Sequence, residues 1–320
     1  MSAPSKDPDG FVVVVEPGDR IHFLDWGGPR TTPERPASDA ERSAGNAEPL
    51  AADAERPGIL LVHGLSNTAW IWAPVARRLR ERRRVVSMDL RGHGLSDAPT
   101  EAYTPALLSE DVVAVAEGSG LLSGPGSRVV LVGHGFGAIV AAWAAEALAE
   151  RCAALVLVDG GWEDLETATG MDTDEFLRGL DEPPEVMGSL AAFLADRAAF
   201  DPSTWDADQE RATRATVVET HAGRVVPATR PHALEACVRT MFEYEPEAAL
   251  AVVPAPVVAL LANDDETGSR GRALAGASAV RDAGGLGPIR VVSFGRDGHN
   301  LMRYRPEAVT AVILEADGPG

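Results

Sequence analysis

The residues of this chain that could do chemistry sit at the ends of apolar runs. Gly298-His299-Asn300 follows the run 289–294 near the C-terminus, and its imidazole belongs to the one side-chain type that ordinarily titrates near neutral pH. Ala262-Asn263-Asp264-Asp265 follows the run 257–261, which puts two carboxylates at the carboxyl end of a strand, where the sites of open α/β sheets collect. A Gly-His pair after the last strand, with an acid at the end of the strand before it, favours a catalytic histidine over a merely packed or solvated one. Two glycine-containing turns accompany them: His63-Gly64-Leu65 after the run 59–62, and Gly133-His134-Gly135-Phe136-Gly137 after the run 129–132. The second is not the dinucleotide fingerprint G-x-G-x-x-G, because its spacing differs, and Asp159 at the end of the next strand reads as a strand-end cap. The seven histidines are scattered, with no H-E-x-x-H and no paired cysteines, so no metal and no cofactor is expected.

These turns need a sheet to position them. β-rich runs recur at 11–16, 20–26, 59–62, 85–88, 129–132, 154–158, 257–261 and 289–294. Helical stretches alternate with most of them, which predicts an α/β fold with a mostly parallel, doubly wound sheet of about eight strands. Pro17-Gly18 suits a type II turn and an antiparallel hairpin at a sheet edge. Trp70, Trp72, Val75, Ala76 and Leu79 mark an amphipathic helix whose exit, 77–84, is rich in arginine and reads as a solvated helix end. Thr104-Pro105 starts a helix that should run to about Leu122. Residues 28–58 hold almost no large apolar side chain and predict a disordered surface insertion. From 162 to 247 the β signal disappears and charged helical segments take over. The expected division is a core of 1–161 and 248–320 with a helical cap at 162–247. Trp162, Phe176, Met187, Phe193, Trp205 and Met241 are candidates for the cap's own core or for a pocket lining.

Composition narrows the function class. A net charge of −19 over 320 residues argues against nucleic acid and against anionic membranes, since both need a basic face. The N-terminus lacks the apolar core of a signal peptide, and no apolar stretch is long enough to span a bilayer. The expected setting is cytoplasmic, with Cys152 and Cys237 free and packed. The expected partner is a small molecule; the sequence leaves the oligomeric state open.

Strand, glycine turn and alanine-rich helix across 128–145 resemble the nucleophile elbow of the α/β-hydrolase family, G-x-S-x-G. Gly133 and Gly137 match the frame, but the apex, where the family carries its serine, is Gly135. The resemblance implies further roles. The backbone N–H groups of Leu65 and Phe136 would form the oxyanion hole, and His299 would be the base. Asp265 would be the acid that orients it, with Asp264 as an alternative register. Asp89-Leu90-Arg91-Gly92-His93-Gly94-Leu95-Ser96-Asp97 is similar to the family's D-x-R-G-x-G-x-S-D loop and is expected to be structural. There Arg91 would pair with a carboxylate, and His93 would lie in the loop or at the surface. The family's usual activity is hydrolysis of esters, lactones or related carbonyl compounds. With a vacant apex, three kinds of function follow. An Asp–His dyad could act without a serine, by hydrolysis or by base chemistry of the cofactor-independent lyase or oxygenase kind. The pocket could bind without turnover. Or Gly135 could mark an inactivated serine hydrolase.

Overall fold

The computed structural model describes residues 7–29, 56–181, 186–262 and 268–318. Most of the expected insertion at 28–58, and all of Asp264 and Asp265, lie outside the described residues. All eight expected strands form one sheet: β1 (Asp9–Val15), β2 (Asp19–Gly27), β3 (Gly58–Val62), β4 (Val85–Met88), β5 (Val129–His134), β6 (Cys152–Val158), β9 (Val257–Leu261) and β10 (Arg290–Ser293). Their order is β1-β2-β4-β3-β5-β6-β9-β10. β1 and β2 are antiparallel and join through β2 to β4; the pairs from β4 to β10 are all parallel. β3, β4, β5, β6 and β9 are buried at every position, as strands covered on both faces must be.

Helices supply that cover. One face packs on α2 (Pro105–Gly118), α3 (Phe136–Leu148), α9 (Pro246–Ala251) and α10 (Ser269–Ala283) through residues such as Val112, Val140, Leu250 and Leu274. The other face packs on α1 (Ala73–Leu79), α11 (Leu301–Tyr304) and α12 (Pro306–Glu315) through Val75, Leu301, Val309 and Ile313. Between β6 and β9 the chain forms α4 (Leu165–Thr169), α5 (Thr173–Gly179), α6 (Leu190–Phe200), α7 (Ala207–Ala215) and α8 (Pro231–Phe242).

Local departures from the sequence expectations have physical causes. The segment between β6 and β9 also holds a two-stranded hairpin, β7 (Val217–Glu219) with β8 (Val225–Pro227), each strand too short to give a periodic signal. The Gly18 N–H bonds to the Val15 carbonyl at 2.7 Å, so the turn is 15–18 with Gly18 at its last position, rather than a type II turn with Gly18 at its third. The helix from Pro105 stops at Gly118 rather than near Leu122, and Gly120 turns the chain at φ 79°. Nor is the arginine run wholly solvated. Arg83 is buried, because its fork reaches Asp317 and the carbonyls of Pro57 and Leu314.

Candidate active site

Gly135 is the residue at which β5 becomes α3, and its backbone has φ 51° and ψ −117°, a region that side chains rarely adopt. Close packing holds the turn. A Cβ on Gly133 would stand 2.2 Å from the Gly137 carbonyl oxygen, and one on Gly137 would stand 2.3 Å from that of His63. Only glycine lets β5, α3 and the loop after β3 approach so closely. A Cβ on Gly135 itself would stand 3.2 Å from His299 Nε2. The apex therefore faces the imidazole edge.

The other ring nitrogen of His299, Nδ1, lies 2.6 Å from Oδ2 of Asp159. The carboxylate at this nitrogen is thus that of Asp159 at the end of β6; Asp265 and Asp264, the acids expected from the family pattern, lie outside the described residues. Asp159 is more than a strand-end cap. Its main chain takes a left-handed conformation, φ 49°, which aims the carboxylate across the sheet's carboxyl edge. Oδ1 accepts from the Ala262 N–H at 2.9 Å and from Arg270 Nη2 at 3.0 Å. Arg270, on α10, is in turn clamped by Glu163 at 2.5 Å. Burial pushes the Asp159 carboxyl up, but the His299 hydrogen bond and the Arg270 charge outweigh it and hold it below the ordinary 3.8. An ionised carboxylate at Nδ1 keeps that nitrogen protonated and leaves Nε2 as a base facing Gly135.

Leu65 and Phe136, the expected oxyanion donors, both line the cavity over Gly135 and His299. Phe136 is the first residue of α3, so its N–H precedes the helical hydrogen-bond ladder. The cavity measures about 370 Å³, and Ile139, Leu165, Phe176 and Met241 give it an apolar wall. Of the aromatic and methionine candidates, Phe176 and Met241 reach this space, whereas Trp162 packs in the main core.

Three histidines support the site from behind. His134 Nε2 lies 3.1 Å from the His299 carbonyl oxygen, and the two rings are 4.3 Å apart, so His134 fixes the segment that carries the base. His63 accepts from the Leu90 N–H at Nε2 and pins the loop after β4. His93 lies in the loop, one of the two positions expected, but is fully buried beside His63 rather than at the surface, because Gly92 and Gly94 fold the loop inward against Tyr103 and Asp89. The loop is structural, as expected, and Arg91 pairs with Asp111 through two 2.6 Å bonds. Burial pushes all three histidines below the ordinary 6.5, His93 to about 3. The unfolded chain then takes up protons below pH 6.5 that the folded chain refuses, so stability falls as the pH drops. Each histidine contributes up to about 1.4 kcal/mol per pH unit. Urea midpoints should be level from pH 8 to 7 and fall between pH 6 and 5; a flat profile across that range would show that the three rings take up protons as readily in the folded chain as in the unfolded one.

Cys152 and Cys237 are free and buried, and burial pushes both thiols up to about 12, far from a reactive thiolate. Among the described residues, no group of three His, Cys, Asp or Glu side chains could hold a metal, and no helix is long and apolar enough to cross a membrane.

Comparison with known proteins gives the same frame. A family model described as the alpha/beta hydrolase family matches residues 59–312. Esterase PIR7B of Oryza sativa subsp. japonica is 35% identical over 126 residues, 37% of this chain and 44% of that protein. Epoxide hydrolase 4 of Mus musculus is 32% identical over 111 residues, 34% of this chain and 30% of that protein. The chain thus spans less than half the length of these relatives. Among solved structures, a thioesterase domain from the curacin biosynthetic pathway superposes with a TM-score of 0.68 at 20% identity, covering 97% of this chain and 100% of that one. E-2-(acetamidomethylene)succinate hydrolase does so at 0.67 and 20%, over 96% and 99%. At such identity these two likenesses concern the fold alone.

Proposed function

From the premise that this chain belongs to the alpha/beta hydrolase family, we propose that it hydrolyses a small ester, lactone or related carbonyl compound without a covalent intermediate. The observation that carries this reading is the space at Gly135, where a side-chain carbon would stand 3.2 Å from His299 Nε2. A water molecule held there sits within hydrogen-bond reach of a base whose other nitrogen is fixed by Asp159. In the first step the water oxygen bonds to the substrate carbonyl carbon and Nε2 takes its proton. The carbonyl π pair moves to oxygen, and the Leu65 and Phe136 N–H groups stabilise the oxyanion. In the second step the oxyanion re-forms the carbonyl, the C–O bond to the leaving group breaks, and imidazolium returns the proton to the departing alkoxide. The products are acid and alcohol, and His299 ends as it began. That esterases occur among the relatives supports this class of substrate.

A protein that only binds its ligand gains nothing from a buried carboxylate aimed at an imidazole, since such a carboxylate costs desolvation. The reading is tested by steady-state hydrolysis of short activated esters, followed by intact-mass analysis during turnover. His299→Ala should lower the rate by about 10²–10⁴-fold, and the working protein should carry no acyl adduct. An adduct, or a rate indifferent to His299, would defeat it.

A further inference from the structure

A second chamber of about 360 Å³ opens beside the catalytic cavity and shares with it Leu65, Ser66, Asn67, Leu180 and Asn300. It lies where the helices between β6 and β9 meet the loop after β3. Four of those helices have almost no core of their own. Among the described residues, α4 and α5 bury no side chain, α6 buries Phe193, and α7 buries Gln209 and Ala212. Helices in proteins are held chiefly by burying an apolar face. Here the apolar side chains converge on open space instead: Ile71, Leu180, Met187, Phe193, Val217 and Leu234 reach the chamber from six places in the chain. Met187 and Phe193, with Val225, also form the small apolar cluster of this segment, so the chamber borders a core that is only partly filled.

The cations at its wall are engaged elsewhere. Arg303 donates to Thr204 Oγ1 and to the Asp201 carbonyl oxygen, at 2.5 and 3.1 Å. Arg197 pairs with Asp196 at 3.4 Å, and its guanidinium lies over the Phe193 ring at 5.1 Å. The Thr216 hydroxyl donates to the Thr213 carbonyl oxygen at 2.7 Å. An apolar wall offers water few partners, whereas hydrocarbon placed against it leaves water and supplies the contacts that the wall lacks. Continuity names the occupant. A chain attached to a carbonyl group over Gly135 has this chamber as its adjoining apolar space, reached past Leu65 and Leu180.

We propose that this chamber receives an unbranched apolar acyl tail, and that the preferred substrates are esters of medium-chain fatty acids rather than acetates or butanoates. The tail completes the apolar packing that α5, α6, α7 and α8 leave open around it. Placement of the reacting carbonyl over Gly135 rests on the hydrolytic reading above; the apolar subsite itself does not.

The two can be tested apart. Binding of methyl butanoate and methyl octanoate is measured by calorimetry on the His299→Ala protein, where neither is consumed. The octanoate should bind about tenfold to a hundredfold more tightly, because it buries four more methylene groups. Thr213 on α7 and Leu234 on α8 line the chamber and not the catalytic cavity, so larger side chains there occupy the space of the tail alone. Thr213→Phe and Leu234→Trp, each made on the same background, should shrink the gap about tenfold and leave butanoate binding level. Melting temperatures show that each variant is folded. Equal binding of the two esters, no binding of either, or a gap that survives both substitutions overturns the subsite. Turnover of 4-nitrophenyl butanoate and 4-nitrophenyl octanoate by the unaltered protein separates the claims. A binding gap without turnover defeats the hydrolytic reading and leaves the subsite standing, whereas turnover of both esters without a binding gap does the opposite.

Discussion

Gly135→Ser should convert the site to covalent catalysis, with labelling by a fluorophosphonate probe and faster ester hydrolysis by at least about 10²-fold. The parts that a serine needs are already in place. The apex backbone has the positive φ of 51°, Leu65 and Phe136 line the cavity, and the His299 imidazole stands at the apex. The new Cβ would meet Nε2 at 3.2 Å, closer than ordinary contact, so the ring must give by a few tenths of an ångström. It can do so, because its side chain is 56% exposed. A non-glycine residue in this conformation costs about 1–3 kcal/mol, so the melting temperature should fall by a few degrees as reactivity appears. The probe should modify a peptide spanning 133–137 in the variant and leave the parent unlabelled there. A folded serine variant that neither labels nor accelerates would mean that His299 and the two N–H groups do not form a working frame.

The fold was legible because its signals are local. β3, β5, β6 and β9 are short apolar runs, each ended by a turn, and a strand buried on both faces has no other way to appear in a sequence. The turn at Gly135 and the segment carrying His299 were legible for a similar reason, since each is marked by adjacent glycines, and the fold brings the two together. The carboxylate paired with His299 was not. Asp159 and His299 are 140 residues apart, and their pairing depends on β6 and β10 both flanking β9, which no local pattern encodes. A signal did exist, in Asp159-Gly160-Gly161 at a strand end. A Cβ on Gly160 would stand 2.8 Å from the Gly135 Cα, so this glycine marks where the β6 loop meets the elbow. The burial of His93 was equally hidden: the residue lies in its loop, as one of the two expected positions had it, but the glycines fold that loop into the interior.

Asp159→Asn should lower ester turnover by about 10²–10⁴-fold, while Asp265→Asn should leave it within about twofold. The first effect follows from which atoms compete for the new amide. At the Oδ1 position the Ala262 N–H and Arg270 Nη2 both donate, at 2.9 and 3.0 Å, so only an oxygen is tolerated there. The amide oxygen must therefore take that place, and the NH₂ group is left facing His299 Nδ1. An imidazole that receives a proton donor at Nδ1 must carry its own proton on Nε2, and it then has no lone pair for the water at Gly135. The base is lost although its position is kept. Arg270 and the Ala262 N–H make the outcome more severe than in a solvated site, because both oppose the flip that would restore an acceptor to Nδ1. Removing the charged one of the two donors should restore part of the rate: in Asp159→Asn combined with Arg270→Met only the Ala262 N–H still opposes the turn, and turnover should exceed that of the single variant. The measurement is kcat for one activated ester across the four proteins, with melting temperatures to confirm that each is folded. A large loss in Asp265→Asn with none in Asp159→Asn would return the acid to the loop after β9. Equal losses in the single and double variants would remove Arg270 from any part in orienting the base.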